Sequence, residues 1–158
     1  MSALSSKASA HPRTAPARQA SDLMTGDVAT VSWTSTVGQA MASMRALGVR
    51  HLPILGDDGH FMGIVDDRLV ALALLAAEDP EQAEQHPVTT AMTHFVPEVA
   101  ATATVSHVAH LLGTSRCDAV VVVDGQGHLR GIITMVDVVA AIAVQDPDAP
   151  TTAARTSG

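Results

Sequence analysis

At 158 residues the chain is one domain or two very small ones. Hydrophobic residues make up 47% but aromatics only 2%, with no Tyr, so the core must be aliphatic and stacking platforms for single-stranded nucleic acid are disfavoured. A net charge of −7 argues against a nucleic-acid surface, and a single Cys excludes an intramolecular disulfide framework or a Cys-rich zinc site.

Residues 1–19 are mostly Ala, Ser and Pro, with Lys7, Arg13 and Arg18. They have neither an apolar period nor the hydrophobic core of a signal peptide, so they read as a disordered tail. No apolar stretch is long enough to span a bilayer, and a cytoplasmic location is expected. Val28–Val31 is a short β-rich run, and Thr34–Thr36 supplies cap chemistry for a helix. Val37, Ala40, Met41 and Met44 then fall on one helical face. His51–Leu55 and His60–Val65 flank the turn Gly56-Asp57-Asp58-Gly59 and predict a β-hairpin. A second helix over Arg68–Ala77 closes the unit. Residues 78–90, acidic and holding Pro80 and Pro87, read as a linker.

The same grammar then returns at an offset of 68, from Met24-Thr25 to Met92-Thr93, without a gap. Val28 falls on Val96, Thr36-Val37 on Thr104-Val105, Gly59-His60 on Gly127-His128, and Gly63-Ile64 on Gly131-Ile132. The second copy predicts a helix on Val105, Val108, Ala109 and Leu112, a hairpin over Ala119–Val123 and His128–Ile133, and a closing helix over Val136–Val144. Residues 145–158 again read as a disordered tail. The boundaries are therefore repeat 1 at 20–77, linker at 78–90 and repeat 2 at 91–144. Each repeat is β-α-β-β-α, and the fold class is α/β (α+β). Neither repeat buries a sheet and two helices well alone, so the two are expected to pack sheet against sheet.

In this order, found twice, the motifs resemble a tandem pair of CBS (cystathionine-β-synthase) domains, the regulatory arrangement called a Bateman module. The residues that carry the resemblance are Met24-Thr25, Thr36-Val37, Arg50–Ile54, Gly59 and Gly63–Val65, with their counterparts Met92-Thr93, Thr104-Val105, Val120–Asp124, Gly127 and Gly131–Asp137. The resemblance implies two clefts between the repeats that take adenosine-type ligands: AMP, ADP, ATP or S-adenosylmethionine. Its signature is Gly, two apolar residues, Thr or Ser, two further residues, then Asp or Asn. The hydroxyl and the helix N-terminus would face phosphates, and the acidic residue would accept from ribose hydroxyls. Repeat 2 keeps the signature as Gly131, Thr134 and Asp137; the bland alternative is that Thr134 and Asp137 only cap a helix. By resemblance the base would lie against Val96, Ala119 and Val120.

Repeat 1 breaks the signature, with Asp66 in place of the hydroxyl and Leu69 in place of the ribose acceptor. At most one nucleotide per chain is expected. Arg50 and His51 are candidate phosphate contacts, and the scarcity of cations favours AMP or a nucleoside-like ligand over ATP. His107 and His110 lie three apart but off the apolar helix face, so no metal site is expected. Cys117 reads as a packed core residue rather than a redox thiol. No catalytic motif is present, and no cofactor is expected. The resemblance thus implies a non-catalytic regulatory module, expected to form a homodimer through its closing helices and to signal to an effector protein in trans. The rival is a structural CBS pair that binds no ligand.

Overall fold

Two three-stranded sheets, one per repeat, organise the chain in a computed structural model that describes residues 18–145. The first sheet holds β1 (Val31–Ser32), β2 (His51–Leu55) and β3 (Phe61–Asp66). The second holds β4 (Glu98–Val99), β5 (Ala119–Val123) and β6 (Leu129–Thr134). In each, the short first strand pairs parallel to the second, and the hairpin is antiparallel. The helices are α1 (Ala20–Leu23), α2 (Val37–Leu47), α3 (Asp67–Ala76), α4 (Pro80–Glu84), α5 (Val105–Thr114) and α6 (Met135–Gln145), with a 3-10 turn at Val88–Ala91.

Local chemistry accounts for these elements. Thr36 opens α2 with a capping box: Gln39 N–H donates to the Thr36 hydroxyl at 3.2 Å, and Thr36 N–H donates to the Gln39 side chain at 3.0 Å. Gly48, at φ 66°, ends the helix in the left-handed region that glycine tolerates. Strand residues alternate between two cores. Leu52, Ile54 and Val65 face the helices of repeat 1, and Val120, Val122 and Ile133 face those of repeat 2. The residues between them, Ile64 from one sheet with Ala119, Val121 and Ile132 from the other, form a third core where the sheets meet. Burial on both faces explains why β5 reads Ala-Val-Val-Val-Val rather than as an alternating pattern.

The repeats also exchange their leading segments. Ala20 is fully buried in the core of repeat 2, where its N–H donates to Ala103 O at 2.7 Å. Val88 and Ala91, just ahead of repeat 2, are buried in the core of repeat 1. Thr25 bridges to Ile132 and Thr93 to Ile64, so each Met-Thr pair crosses to the other repeat's Gly-Ile pair. A Cβ on Gly131 would meet Met24 Sδ at 2.6 Å, and one on Gly63 would meet Thr93 O at 2.5 Å. The two most legible repeated motifs are therefore partners across the repeats.

Several expectations shift. The run Val28–Val31 contributes only Val31 to a strand; Val28 instead packs partly into the inter-sheet core. The segment read as a linker is docked: Asp79 caps α4, and Val37 N–H donates to His86 O at 2.9 Å. Arg18 and Gln19, read as tail, are fixed to repeat 2, since Val105 N–H donates to Arg18 O at 3.0 Å and Gln19 bridges to Thr104. The remaining tail expectations, for residues 1–17 and 146–158, lie outside the described residues.

Candidate functional site

Thr134 ends β6 and Asp137 sits in the first turn of α6. The Asp137 Oδ2 accepts from both the Thr134 N–H and the Thr134 hydroxyl, each at 2.7 Å. The carboxylate thus ties the first turn of the helix to the end of the strand before it and sets a negative charge at the helix N-terminus. Both residues are half-buried on the wall of a cleft of about 500 Å³, within the size range of small-molecule sites. Thr134 through Asp137 and Ile132 form one wall. The opposite wall comes from repeat 1: Thr25, Asp27, Val28 and Ala29 ahead of β1, then Leu47, Val49, Arg50 and His51 at the passage from α2 to β2. Asp118 completes the lining.

The expected apolar wall is corrected by this geometry. Val96, Ala119 and Val120 do not line this cleft. Val96 and Ala119 are buried in the inter-sheet core, and Val120 in the core of repeat 2. The reason is the exchange between repeats: a cleft takes its helix start from one repeat and its facing wall from the other. Val28 and His51, the positions that match Val96 and Ala119, stand there instead.

Arg50 and His51 do reach the cleft, but each already holds a carboxylate. Arg50 donates to both oxygens of Asp67, at 2.9 and 3.3 Å. This pair raises the guanidinium and holds the Asp67 carboxyl below its ordinary range. His51 Nε2 lies 3.0 Å from Asp118 Oδ1, and that hydrogen bond holds Asp118 below the ordinary range. Donor atoms of His51, Asp66 and Asp118 come within 4.8 Å of one another, a grouping that sequence spacing did not reveal. The grouping is closed by its own pairings, His51 to Asp118 and Asp66 to the backbone of α3.

In repeat 1, Asp66 is buried, at 5% exposure, and its Oδ1 accepts from the Leu69 N–H at 2.6 Å as the N-cap of α3. Cys117 is buried too, and burial pushes its thiol up, the opposite of an activated thiolate. His107 and His110 are exposed on α5. His60 and His128 stack on one another, with ring centroids 4.7 Å apart, at the hairpin tips. Asp27, Asp118 and Val49 are cleft residues that sequence reasoning missed. Only Asp118 carried a signal, because it occupies the repeat position of Arg50.

A family profile described as CBS domain matches residues 20–76 and again 88–144. The chain is 27% identical over 122 residues to a CBS domain-containing protein of Dictyostelium discoideum, covering 73% of this chain and 84% of that one. Among solved structures it is similar to a Vibrio cholerae protein named for acetoin utilization (AcuB), with 29% identity, TM-score 0.71, and 82% and 92% of the two chains covered. It also shares its fold with the CBS domain pair of protein MJ0100, solved with 5-methylthioadenosine and S-adenosyl-L-methionine (22% identity, TM-score 0.74, 83% and 100% covered). The structure of CBSX2 in complex with AMP has the same fold (24% identity, TM-score 0.69, 81% and 98% covered).

Proposed function

The chain belongs to the CBS domain family, as two domains in tandem, and from that premise we propose that it is a non-catalytic sensor of an adenosine-type ligand. One observation carries the reading. The intact signature pair, Thr134 and Asp137, opens onto a cleft whose other wall belongs to repeat 1. A ligand there touches both repeats and favours whichever relative orientation it fits best. Asp137 Oδ1 has no hydrogen-bond partner among the described residues and would accept from ribose hydroxyls in this reading. Val28, Ala29 and Val49 supply an apolar wall for a base. The ligands held by the CBS pair of MJ0100 and by CBSX2 support this class of ligand.

The output acts in trans on an effector protein. α3 and α6 expose Leu72, Leu75, Val136, Val139 and Ile142, with Leu75 at 84% exposure, and we assign these faces to a second copy in a homodimer. Sedimentation equilibrium checks this: a monomer at micromolar concentration sinks the homodimer.

Calorimetry and thermal shift with adenosine, AMP, ATP and S-adenosylmethionine test the ligand reading. At least one should bind at one site per chain. Asp137→Ala should weaken it about 10- to 100-fold, the scale of a lost charge-assisted hydrogen bond. Asp66→Ala, which removes the carboxylate that caps α3 in repeat 1, should leave affinity in place. If no ligand binds, the module is a structural CBS pair. If Asp137→Ala binds as the native chain does, the site lies elsewhere.

A further inference from the structure

Charge around the Thr134–Asp137 cleft bears on the ligand's 5′ substituent, an inference that rests on the nucleoside reading above. Three carboxylates line the cleft: Asp27, Asp118 and Asp137. Only two basic side chains do, Arg50 and His51, and both are engaged, with Asp67 and Asp118 respectively. The N-terminus of α6 would ordinarily attract an anion. Here Asp137 sets its own negative charge in that first turn, held there by the Thr134 N–H, and Met135 N–H already donates to Asp118 O at 3.2 Å, which offsets part of that attraction. Asp27 is exposed on the cleft rim and makes no hydrogen bond among the described residues, so no partner there offsets its charge. A phosphate in this cleft would meet more negative than positive charge, without an uncommitted cation among the residues that line it to offset it.

We propose that the cleft selects nucleosides whose 5′ substituent is uncharged or cationic, such as a thioether or a sulfonium with an ammonium group, and discriminates against phosphorylated nucleosides. The ribose and base contacts are the same for both groups. The discrimination comes from Asp27 and Asp118 at the 5′ end. It is electrostatic, so added salt weakens it.

The test is calorimetry on the full chain with adenosine, 5′-methylthioadenosine, S-adenosylmethionine, AMP and ATP, at about 50 and about 500 mM salt. S-adenosylmethionine and 5′-methylthioadenosine should bind at least about tenfold more tightly than AMP, with ATP weakest, and high salt should narrow the gap. Asp27→Asn removes an exposed charge that holds no structural contact, and unchanged thermal stability would verify its fold. It should improve AMP relative to adenosine by about three- to tenfold. AMP binding as tightly as adenosine or more tightly in the native chain overturns the charge proposal and leaves the nucleoside site standing. So does an AMP-to-adenosine ratio that Asp27→Asn does not move. Failure of every compound, uncharged adenosine included, overturns both.

Discussion

The starts of α3 and α6 solve one problem with opposite polarity. Each helix exposes unpaired N–H groups at its N-terminus, and each is closed by one carboxylate. In repeat 1 the carboxylate is the cap residue itself: Asp66 reaches forward to the Leu69 N–H at 2.6 Å and is buried in doing so. In repeat 2 it stands one turn in: Asp137 reaches back to the Thr134 N–H at 2.7 Å and stays half-buried on a cleft wall. Stability asks only that a carboxylate be present. Its position decides whether the same group is buried or stands on a cleft wall. A helix-start contact and the proposed ribose contact therefore do not compete for Asp137: Oδ2 makes the first, and Oδ1 has no hydrogen-bond partner among the described residues.

The exchanged segments give the sharpest way to test how alike the repeats are. Gly63 and Gly131 hold equivalent positions, and neither has a positive φ, so alanine is not excluded by backbone conformation. Space decides instead. At Gly63 a Cβ would meet the Thr93 carbonyl at 2.5 Å and Met92 at 2.7 Å. At Gly131 the close atoms are Met24 Sδ at 2.6 Å and its Cγ and Cβ at 2.9 Å; the first two can turn away, and only Cβ, at the longer distance, needs a backbone shift. Overpacking costs about 1–3 kcal/mol, and alanine's lower unfolded-state entropy returns about 0.4–1 kcal/mol. Gly63→Ala should therefore destabilise by about 2 kcal/mol and Gly131→Ala by about 1 kcal/mol, read by urea unfolding. Equal losses would break the asymmetry. A larger loss at Gly131 would reverse it.

What the sequence showed and what it hid divide along the same line. Caps, helical faces and hairpin turns depend on residues within a few positions of one another. Thr36 with Gln39, or Val37 with Ala40 and Met44, are therefore visible by spacing. The repeat offset exposed the Asp66 and Leu69 departures directly. Which repeat faces which cleft is not a local property. Val96 and Ala119 match Val28 and His51 in pattern, and pattern alone does not say that the wall facing Thr134 comes from the other repeat. Nor does it show that Met24 packs on Gly131, that Arg50 pairs with Asp67, or that His51 pairs with Asp118. Each of these links is set by the exchange of segments between repeats or by strand register.

The hairpin turns carry the smallest expected difference. Asp124 accepts from the Gln126 N–H at 2.9 Å and the His128 N–H at 3.0 Å, and Arg130 adds 2.8 and 3.1 Å contacts. The repeat position of Asp124 in the first hairpin is Gly56, and the turn carboxylate there is Asp58, which accepts from the His60 N–H at 3.1 Å. Accepting the His128 N–H, with the other donors, lowers Asp124 from 3.8 to about 2; the His60 N–H lowers Asp58 less far. Both folded values lie below the unfolded one. Their contribution to stability is therefore complete above about pH 4 and is lost as pH falls through the unfolded and then the folded value. Both shares begin to fall near the unfolded value; in the folded state Asp58 should take up its proton at the higher pH, and Asp124 near pH 2. Carboxyl carbon shifts followed by NMR from pH 5 downward check the order. An Asp58 midpoint at or below that of Asp124 would show that the extra donors of the second turn do not hold its charge.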